Sequence, residues 1–412
     1  MQKVKNILRK LSKLGIYIFM LPLYWLSYII PKDKNLWIFG AWFGEKYADN
    51  SKYLFEYINK NHSEIKAIWL TKNKDTYNLI KNKGFKVYKM FSIMGLIYSL
   101  RAKIGVISTG LNDINMYTSG KIKIIQLWHG IPLKKIMFDD KITFRRPTII
   151  KKILFFIFPF LKKNLYYNDS LIIATSNEVQ KVLSSAFKVP INQVRVTGYP
   201  RNDSFYQKVN TNIPFVKKLL ELKQIGKTIC IYVPTHRKEG KVNIIQILFS
   251  NLEEIDSELK KMNSILLIKL HYYHNKEIRK LIQGKKLTNI IVVDDKLIEQ
   301  DIYNILKLAD ILITDYSSVY FDYLLANRPI IFAPFDINEY IKKDREFYYN
   351  YDDVTPGPKC KSWNEVLVWI KKFKENPKLY EKERLKIRDI FHTYKDGKSS
   401  ERVYNEIIKL IS

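Results

Sequence analysis

The sequence is poor in cysteine. Among its 412 residues only Cys230 and Cys360 are cysteines. Two cysteines form neither a disulfide framework nor a metal-ligand cluster, so a reducing compartment is favoured over the secreted, disulfide-rich class. Internal repeats and low-complexity tracts are also lacking, while hydrophobic residues make up 47% of the chain. This composition argues against a disordered chain and predicts domains with sizeable cores.

Acidic residues are outnumbered as well. The chain has 40 acidic residues against 70 Lys and Arg, which gives a formal net charge of +30. Such a charge suits nucleic acid, an anionic membrane surface or an anionic substrate, and alone it selects none of them. No Asp-x-Asp pair occurs, so the carboxylates that usually hold a divalent ion beside a nucleotide diphosphate are missing. We therefore expect neither a metal nor any other cofactor.

The N-terminal 31 residues combine basic charge with an apolar run. Residues 1–13 contain five basic residues and no acid, and residues 14–31 are uncharged and rich in Ile, Leu, Phe, Tyr and Trp. No small-x-small cleavage pattern follows, which argues against a cleaved signal peptide. A transmembrane span and a helix lying in the membrane interface are both open alternatives. Pro22, which is expected to interrupt the helix, favours the interface.

Residues 149–165 repeat this pattern. An apolar core at 153–161 is flanked by a pair of lysines on each side. A buried core helix is the alternative, but paired lysines at both ends suit anionic headgroups better. Because basic residues gather around two apolar segments, we expect an anionic membrane surface as a partner and no nucleic acid.

From residue 34 onward, short apolar runs alternate with helical patterns, which predicts parallel sheets covered on both faces. The expected strands are 35–41, 66–70, 85–88, 104–108, 122–127, 171–175 and 194–197, followed by 228–233, 265–270, 290–293, 310–315 and 330–332. We interpret the chain as an α/β protein of the GT-B class, with two doubly wound, Rossmann-like domains facing a cleft. The membrane-associating helix is placed at 1–33, the acceptor-side domain at 34–200 and the donor-binding domain at 201–412.

Reactive side chains follow several strands at their carboxyl ends, where doubly wound domains bind ligands. His129 follows the strand at 122–127 on a turn with Gly130, and a histidine there can act as a general base. A packed loop histidine is the alternative. Lys134 either neutralises a nearby phosphate or is a solvated surface charge.

The second half offers candidates for an anion site. Ser317 and Ser318 stand between a strand and a helix, where free backbone N–H groups and the helix dipole attract anions. Capping of the helix is the simpler alternative. Thr235 and Arg237 follow another strand, and the planar guanidinium matches phosphate oxygens. His271 ends a further strand, and we expect it in the same cleft.

Six motifs, in this order and spacing, resemble those of the CDP-glycerol glycerophosphotransferase family of teichoic acid synthesis. They are WHGIPLKK (128–135), TGYPRND (197–203), YVPTHR (232–237), KLH (269–271), DILITDYSSVYFDY (310–323) and DGKSSERV (396–403). The resemblance runs from about residue 35 to the C-terminus. It implies a GT-B fold, peripheral association with the cytoplasmic membrane and no essential metal in the site.

The resemblance also implies roles for individual residues. His129 matches the base that deprotonates the acceptor hydroxyl. His271 matches a second essential histidine near the donor pyrophosphate. Arg237, Ser317 and Ser318 match donor-phosphate contacts.

Five further residues complete the expected site. Asp315 and Asp322 match the family pattern D-Y-S-S-x-x-x-D and are expected to serve the donor, by orienting either the nucleotide or a loop. Thr235 is expected to bind donor phosphate. Lys134 and Arg201 are expected to neutralise the acceptor or a phosphate.

The favoured hypothesis is a peripheral enzyme at the cytoplasmic face of the membrane. It would transfer polyol phosphate from CDP-glycerol or CDP-ribitol to a lipid-linked saccharide acceptor, releasing CMP, in teichoic acid or capsular polymer synthesis. A GT-B glycosyltransferase that uses a nucleotide sugar is the alternative, and a non-enzymatic polyanion binder is a third. Primase and polymerase action are both open. Two departures from the family pattern, Ile131 in place of Thr and Tyr272 in place of Pro, bear on the acceptor or polyol preference.

Overall fold

Two sheets form the frame of the protein. The computed structural model describes residues 2–142, 144, 146–167, 170–235, 252–270, 282–337 and 346–411. The first sheet contains β1 (Asp33–Phe39), β2 (Lys66–Thr71), β3 (Val87–Lys89), β4 (Ala102–Ile107), β5 (Lys123–Gln126), β6 (Leu171–Ala174) and β7 (Val194–Val196). The second contains β8 (Thr228–Val233), β9 (Ser264–Ile268), β10 (Ile290–Val292), β11 (Ile311–Thr314) and β12 (Ile330–Phe332).

All neighbouring strands run parallel. The strand order is β3-β2-β1-β4-β5-β6-β7 in the first sheet and β10-β9-β8-β11-β12 in the second. Each order reverses beside its first strand, and doubly wound sheets bind ligands beyond the carboxyl ends at that point. All twelve predicted strands are present, so the α/β class with parallel sheets is confirmed. The domain boundaries after residues 33 and 200 stay predictions.

Helices connect the strands. They are α1 (Gln2–Ile29), α2 (Asp49–Asn61), α3 (Lys74–Asn82), α4 (Ile93–Arg101), α5 (Ile149–Ile157), α6 (Pro159–Lys163), α7 (Asn177–Phe187), α8 (Pro214–Gln224), α9 (Leu252–Lys261), α10 (Tyr303–Leu306), α11 (Val319–Tyr323), α12 (Tyr351–Val354), α13 (Trp363–Glu375), α14 (Glu381–Phe391) and α15 (Ser399–Ile411). Serine side chains accept hydrogen bonds at the starts of α4, α7 and α13, which satisfies backbone N–H groups that a helix leaves unpaired.

The first helix continues through Pro22, so the predicted interruption is wrong. Proline removes one backbone donor, but aromatic contacts hold the helix on both sides of it. The rings of Tyr17 and Tyr24 each lie 5.6 Å from the ring of Phe160. Among the residues that the structure describes, no helix combines the length and apolar character needed to cross a membrane.

Residues 149–165 form two short helices, with Pro159 at the start of the second. No residue of α5 is buried, which argues against the alternative of a core helix for this part. In α6, by contrast, Phe160 is fully buried beneath α1. The segment is therefore anchored at one end and exposes an apolar face at the other.

The last helix returns to the side of the first sheet. In α15 the ring of Tyr404 stacks on His62 at 3.6 Å between centroids. The start of α15 is held by Asp203, whose carboxylate accepts from the backbone N–H groups of Ser399 and Ser400 at 2.8 Å each. The motifs TGYPRND and DGKSSERV thus contact each other, and these hydrogen bonds fix the start of the last helix to the segment that connects the two sheets.

Candidate active site

A cavity of about 350 Å³ opens between the carboxyl ends of the two sheets. Its lining includes residues that follow β1, β5, β8, β9, β10 and β11. Six of the predicted site residues line it: His129, Lys134, Arg201, Thr235, Ser317 and Ser318. Asp315 and Asp322 lie behind this lining, whereas Arg237 and His271 lie outside the described residues. The structure therefore brings candidates from both halves of the chain to one place.

His129 is held as a neutral base would be. Its Nδ1 lies 3.0 Å from the backbone carbonyl oxygen of Ser108. A carbonyl only accepts, so the proton belongs on Nδ1 and Nε2 is left as the acceptor. Burial lowers the pKa of His129 below its ordinary value, and the negative charge of Asp49 partly opposes this shift. Burial therefore favours the neutral form of the imidazole.

The turn that carries His129 is strained. Trp128 adopts a positive φ of 54°, a conformation that costs a non-glycine residue about 1–3 kcal/mol. The side chain of Asn50 holds this turn, because its Nδ2 donates to the carbonyl oxygens of Leu127 at 3.2 Å and of Trp128 at 2.8 Å. Such strain persists only where surrounding contacts enforce it.

Gly130 and Ser318 are in close contact across the cavity. The φ of Gly130 is 153°, and a Cβ at this position would lie 2.7 Å from the Oγ of Ser318. A larger residue would require the Ser318 hydroxyl to rotate away or the turn carrying His129 to shift. Glycine therefore suits both the positive φ and this contact.

Arg201 lies at the base of the cavity, paired with carboxylates from both sides. Its Nη1 donates to Asp49 at 2.7 Å and to the carbonyl oxygen of His129 at 2.9 Å. Its Nη2 donates to Asp322 at 2.6 Å, and the hydroxyl of Tyr303 donates to the same carboxylate oxygen at 2.5 Å. The guanidinium is only 4% exposed. Its charge is already compensated without any ligand.

Asp315 fixes the loops on the second sheet. The backbone N–H and the hydroxyl of Thr235 donate to its Oδ1 at 2.8 and 2.7 Å. The hydroxyl of Tyr351 donates to the carbonyl oxygen of Asp315 at 3.0 Å. These bonds join the ends of β8 and β11, where the strand order reverses. Asp315 therefore orients the loop that presents Thr235 to the cavity.

Ser318 is not a side-chain cap, so that interpretation is wrong. It precedes α11, yet its φ of −67° and ψ of −5° are helical, and its side chain makes no capping hydrogen bond. A capping residue is normally extended, which lets its hydroxyl turn back to the helix N–H groups. The helix is also only five residues long. Ser317 and Ser318 are instead half-buried in the cavity wall.

Two lysines and an aspartate in the lining were missed from the sequence. Lys46 and Lys269 come from opposite halves of the chain, and both pair with Asp295 at 2.8 Å. Lys269 belongs to the motif KLH, and Asp295 follows β10, so their positions at strand ends could have indicated them. Lys46 lies in an irregular loop with no such signal. Three charged side chains thus converge on the cavity with a net positive charge.

Metal ligands do not cluster in the described part of the chain. No group of three or more His, Cys, Asp or Glu side chains there is placed to hold a metal ion.

The sequence profile of the CDP-glycerol:poly(glycerophosphate) glycerophosphotransferase family matches residues 23–409. The chain belongs to this family. This confirms the resemblance drawn from the six motifs, and membership makes the chain an enzyme of the glycerophosphotransferase type. The family match covers both sheets and the cavity between them.

Curated relatives agree with the family match. The chain is 28% identical to the teichoic acid glycerol-phosphate transferase of Staphylococcus aureus over 98% of this chain and 100% of that protein. It is 29% identical to a teichoic acid poly(glycerol phosphate) polymerase of Bacillus spizizenii over 92% of this chain and 93% of that protein. The solved structure of the wall teichoic acid polymerase TagF superimposes with a TM-score of 0.74 at 23% identity, covering 100% of this chain and 98% of that one. At this identity the structural likeness shows the fold.

Proposed function

We propose that the chain transfers glycerol phosphate, or a related polyol phosphate such as ribitol phosphate, from a CDP-linked donor to a hydroxyl of a lipid-linked saccharide. CMP is the leaving group, and the product belongs to teichoic acid or capsular polymer. One observation carries the proposal. His129, whose Nδ1 is engaged by the Ser108 carbonyl oxygen so that Nε2 is available as the base, faces the same cavity as the hydroxyl-bearing turn Ser317–Ser318 from the other sheet.

The reaction balances with these groups. The acceptor hydroxyl attacks the β-phosphorus of the donor, and its proton moves to Nε2 of His129. A new oxygen–phosphorus bond forms while the bond from the β-phosphorus to the bridging pyrophosphate oxygen breaks, and CMP departs. Such a transition state requires a base on one side and hydrogen-bond donors or positive charge around the phosphoryl oxygens. The two halves of the cavity supply these from opposite sides.

The donor-side contacts extend the proposal. Thr235, Ser317 and Ser318 offer hydroxyl groups, and Lys46 and Lys269 offer positive charge shared with Asp295. Charge-assisted hydrogen bonds of this kind are the stronger class of contact to phosphate. Arg237 and His271 keep their proposed donor roles, although they lie outside the described residues. Lys134 lines the same cavity, and we assign it to the acceptor or to a phosphate.

Attachment to the cytoplasmic leaflet is part of the proposal. Large apolar side chains are exposed on three helices, with exposures of 80% for Phe19 on α1, 78% for Ile93 on α4 and 89% for Phe156 on α5. A groove of about 620 Å³ lies between α1 and α4, and its lining is entirely apolar. Basic residues around α1 and α5 complement anionic headgroups. The face on α4 is a contributor that the sequence patterns did not indicate.

The decisive experiment is an assay with a panel of nucleotide-linked donors. We expect incubation with CDP-glycerol and a synthetic lipid-linked acceptor to release CMP, and mass analysis of the product to separate a primase from a polymerase. CDP-ribitol in the same assay distinguishes the polyol. Release of UDP or GDP from nucleotide sugars without CMP release would instead support the glycosyltransferase. Nucleic-acid binding as tight as vesicle binding, with no turnover, would support the polyanion binder.

Vesicle binding tests the membrane surface. We expect a double substitution, Ile93→Glu with Phe156→Glu, to weaken binding to phosphatidylglycerol vesicles by at least ~10-fold, because burial of each large apolar side chain contributes about 1.5–3 kcal/mol. Val368, which is 53% exposed on α13, provides the matched control as Val368→Glu. Unchanged vesicle affinity of the double variant, measured by co-sedimentation, would remove these helices from the proposed surface.

A further inference from the structure

We propose that Arg201 is a positioning residue that holds the turn carrying His129 in register with the donor-side turn Ser317–Ser318. This inference rests on the proposed function and assigns Arg201 a geometric role instead of neutralisation of a phosphate. Three observations carry it: the partners of the guanidinium, its hold on the strained turn, and the contact between the two turns.

The guanidinium connects the two sheets. Asp49 begins α2, which follows β1 of the first sheet, and Asp322 lies in α11, which follows β11 of the second. Arg201 donates to both carboxylates, and all three side chains are at least 94% buried. A forked guanidinium can bond two carboxylates at once, which a single ammonium group cannot do with the same geometry. The two carboxylates together outweigh its single charge, so little positive charge is left for a phosphate.

The same residue fixes the turn that carries the base. Besides the bond from its Nη1 to the His129 carbonyl, the backbone N–H of Arg201 donates to Oδ1 of Asn50 at 3.1 Å. Asn50 in turn holds the carbonyl oxygen of Trp128, the residue with positive φ. Arg201 therefore acts on this turn twice, through its side chain directly and through Asn50. A strained turn of this kind depends on such contacts to keep its shape.

The donor side is reached through Asp322. Asp322 lies in α11, four positions after Ser318, which immediately precedes this helix. Ser318 approaches Gly130 so closely that a Cβ at Gly130 would collide with the Oγ of Ser318. The Arg201–Asp322 bond runs beneath this contact. It keeps Gly130, and so His129 beside it, at a fixed separation from the donor-side turn.

Arg201→Lys separates geometry from charge, because it keeps the positive charge and removes the fork. We expect kcat for CMP release to fall by roughly 30-fold or more, since misplacement of a reacting group by about 1 Å has effects of this order. We expect the Kd for CDP-glycerol, measured by calorimetry without acceptor, to stay within about threefold. Asp322→Ala, which removes the partner of Arg201 on the second sheet together with the bond from Tyr303, should lower kcat in the same way. If the Arg201→Lys protein does not fold, the Asp322→Ala protein tests the positioning role of Arg201 in its place.

Arg328→Lys is the matched control. Arg328 also donates from one nitrogen to two acceptors, the carbonyl oxygens of Lys307 at 2.8 Å and Ala309 at 2.6 Å, and it does not line the cavity. The kcat of the Arg328→Lys protein should stay within about twofold of the wild-type value.

The outcomes separate the inference from the proposed function. A large rise in Kd with kcat retained at saturating donor would mean that Arg201 binds the donor, and would overturn the inference alone. Unchanged kcat in folded Arg201→Lys and Asp322→Ala proteins would overturn it as well. Absence of CMP release from the unchanged chain would overturn the proposed function, and the inference would fall with it.

Discussion

The two sides of the cavity are built differently. On the first sheet, the turn carrying His129 is strained at Trp128 and nearly every carbonyl in it is bonded by a buried side chain, from Asn50 or Arg201. On the second sheet, Ser318 has helical φ and ψ and its side chain makes no capping hydrogen bond. Several hydrogen bonds fix the strained backbone of the turn carrying His129. The second side presents its polar groups from a backbone that is unstrained at Ser318.

This difference matches two tasks. A general base must lie within hydrogen-bond reach of one proton in one direction, so its position tolerates little error. A chain of phosphates is held by several donors and charges, and the loss of one is shared among the rest. We infer that the first side aligns the general base and that the second side provides the affinity for the donor phosphates.

The largest expected effect is on the first side. We expect His129→Ala to reduce kcat for CMP release by ~10³-fold, since a positioned general base contributes about 10²–10⁴-fold. The Kd for CDP-glycerol should change little, because the proposed donor contacts come from the other sheet. Calorimetry without acceptor, combined with a CMP assay, separates the two parameters.

His62→Ala is a control for the loss of an imidazole. His62 stacks on Tyr404 far from the cavity lining, and its loss should leave kcat unaffected. Wild-type CMP release from the His129→Ala protein would refute the assignment of the base.

A smaller effect is expected on the second side. We expect Lys269→Met to raise the Kd for CDP-glycerol by about 10-fold, the loss typical of one charge-assisted hydrogen bond. It also leaves Asp295 with one cation fewer, and the excess negative charge repels the donor. Once the donor is saturating, kcat should fall by less than about threefold.

Lys285→Met provides the comparison, since Lys285 forms an exposed pair with Glu253 on the same half of the chain. Its Kd should match that of the unchanged protein. A Lys269→Met protein that loses kcat while keeping its donor affinity would erase the distinction between an aligning side and a binding side.

The sequence predicted the sheets well because buried parallel strands are short apolar runs with polar ends. All twelve strands were located, and the rule that parallel strands converge at their carboxyl ends brought His129 and Ser318 together correctly. Family motifs added Arg201 and Asp322 to the site, but not their pairing. That pairing spans 121 positions along the chain, and no local pattern encodes it.

Three other features were beyond the reach of local patterns. Positive φ is expected at glycine, so Trp128 gave no sign of strain before its contacts were visible. Lys46 lies in a loop without periodicity and joins Asp295 only because the two sheets face each other. An aspartate such as Asp49 at a helix start is normally read as a favourable partner of the helix dipole. Its position beside His129 results from the tertiary fold and cannot be seen in the local sequence.

The smallest expected effect concerns the pH dependence of kcat/KM, and it tests how the charges around His129 set the pKa of this residue. In the proposed mechanism the neutral form of His129 is the active base, so kcat/KM should fall as the pH drops through the pKa of His129. Burial lowers that pKa, which places the acid limb below the ordinary pKa of histidine. The charge of Asp49 raises the pKa, while that of Arg201 lowers it.

Asp49→Asn removes the charge that raises the pKa and leaves Arg201 less compensated, and both changes act in the same direction. We expect the acid limb of kcat/KM to move to lower pH, by at most about one unit, with a modest loss of kcat from the weakened hold on Arg201. Asp139→Asn, at a carboxylate outside the cavity lining that accepts from Tyr348, should leave the limb in place. A shift to higher pH in the Asp49→Asn protein would contradict the arrangement of charges around His129.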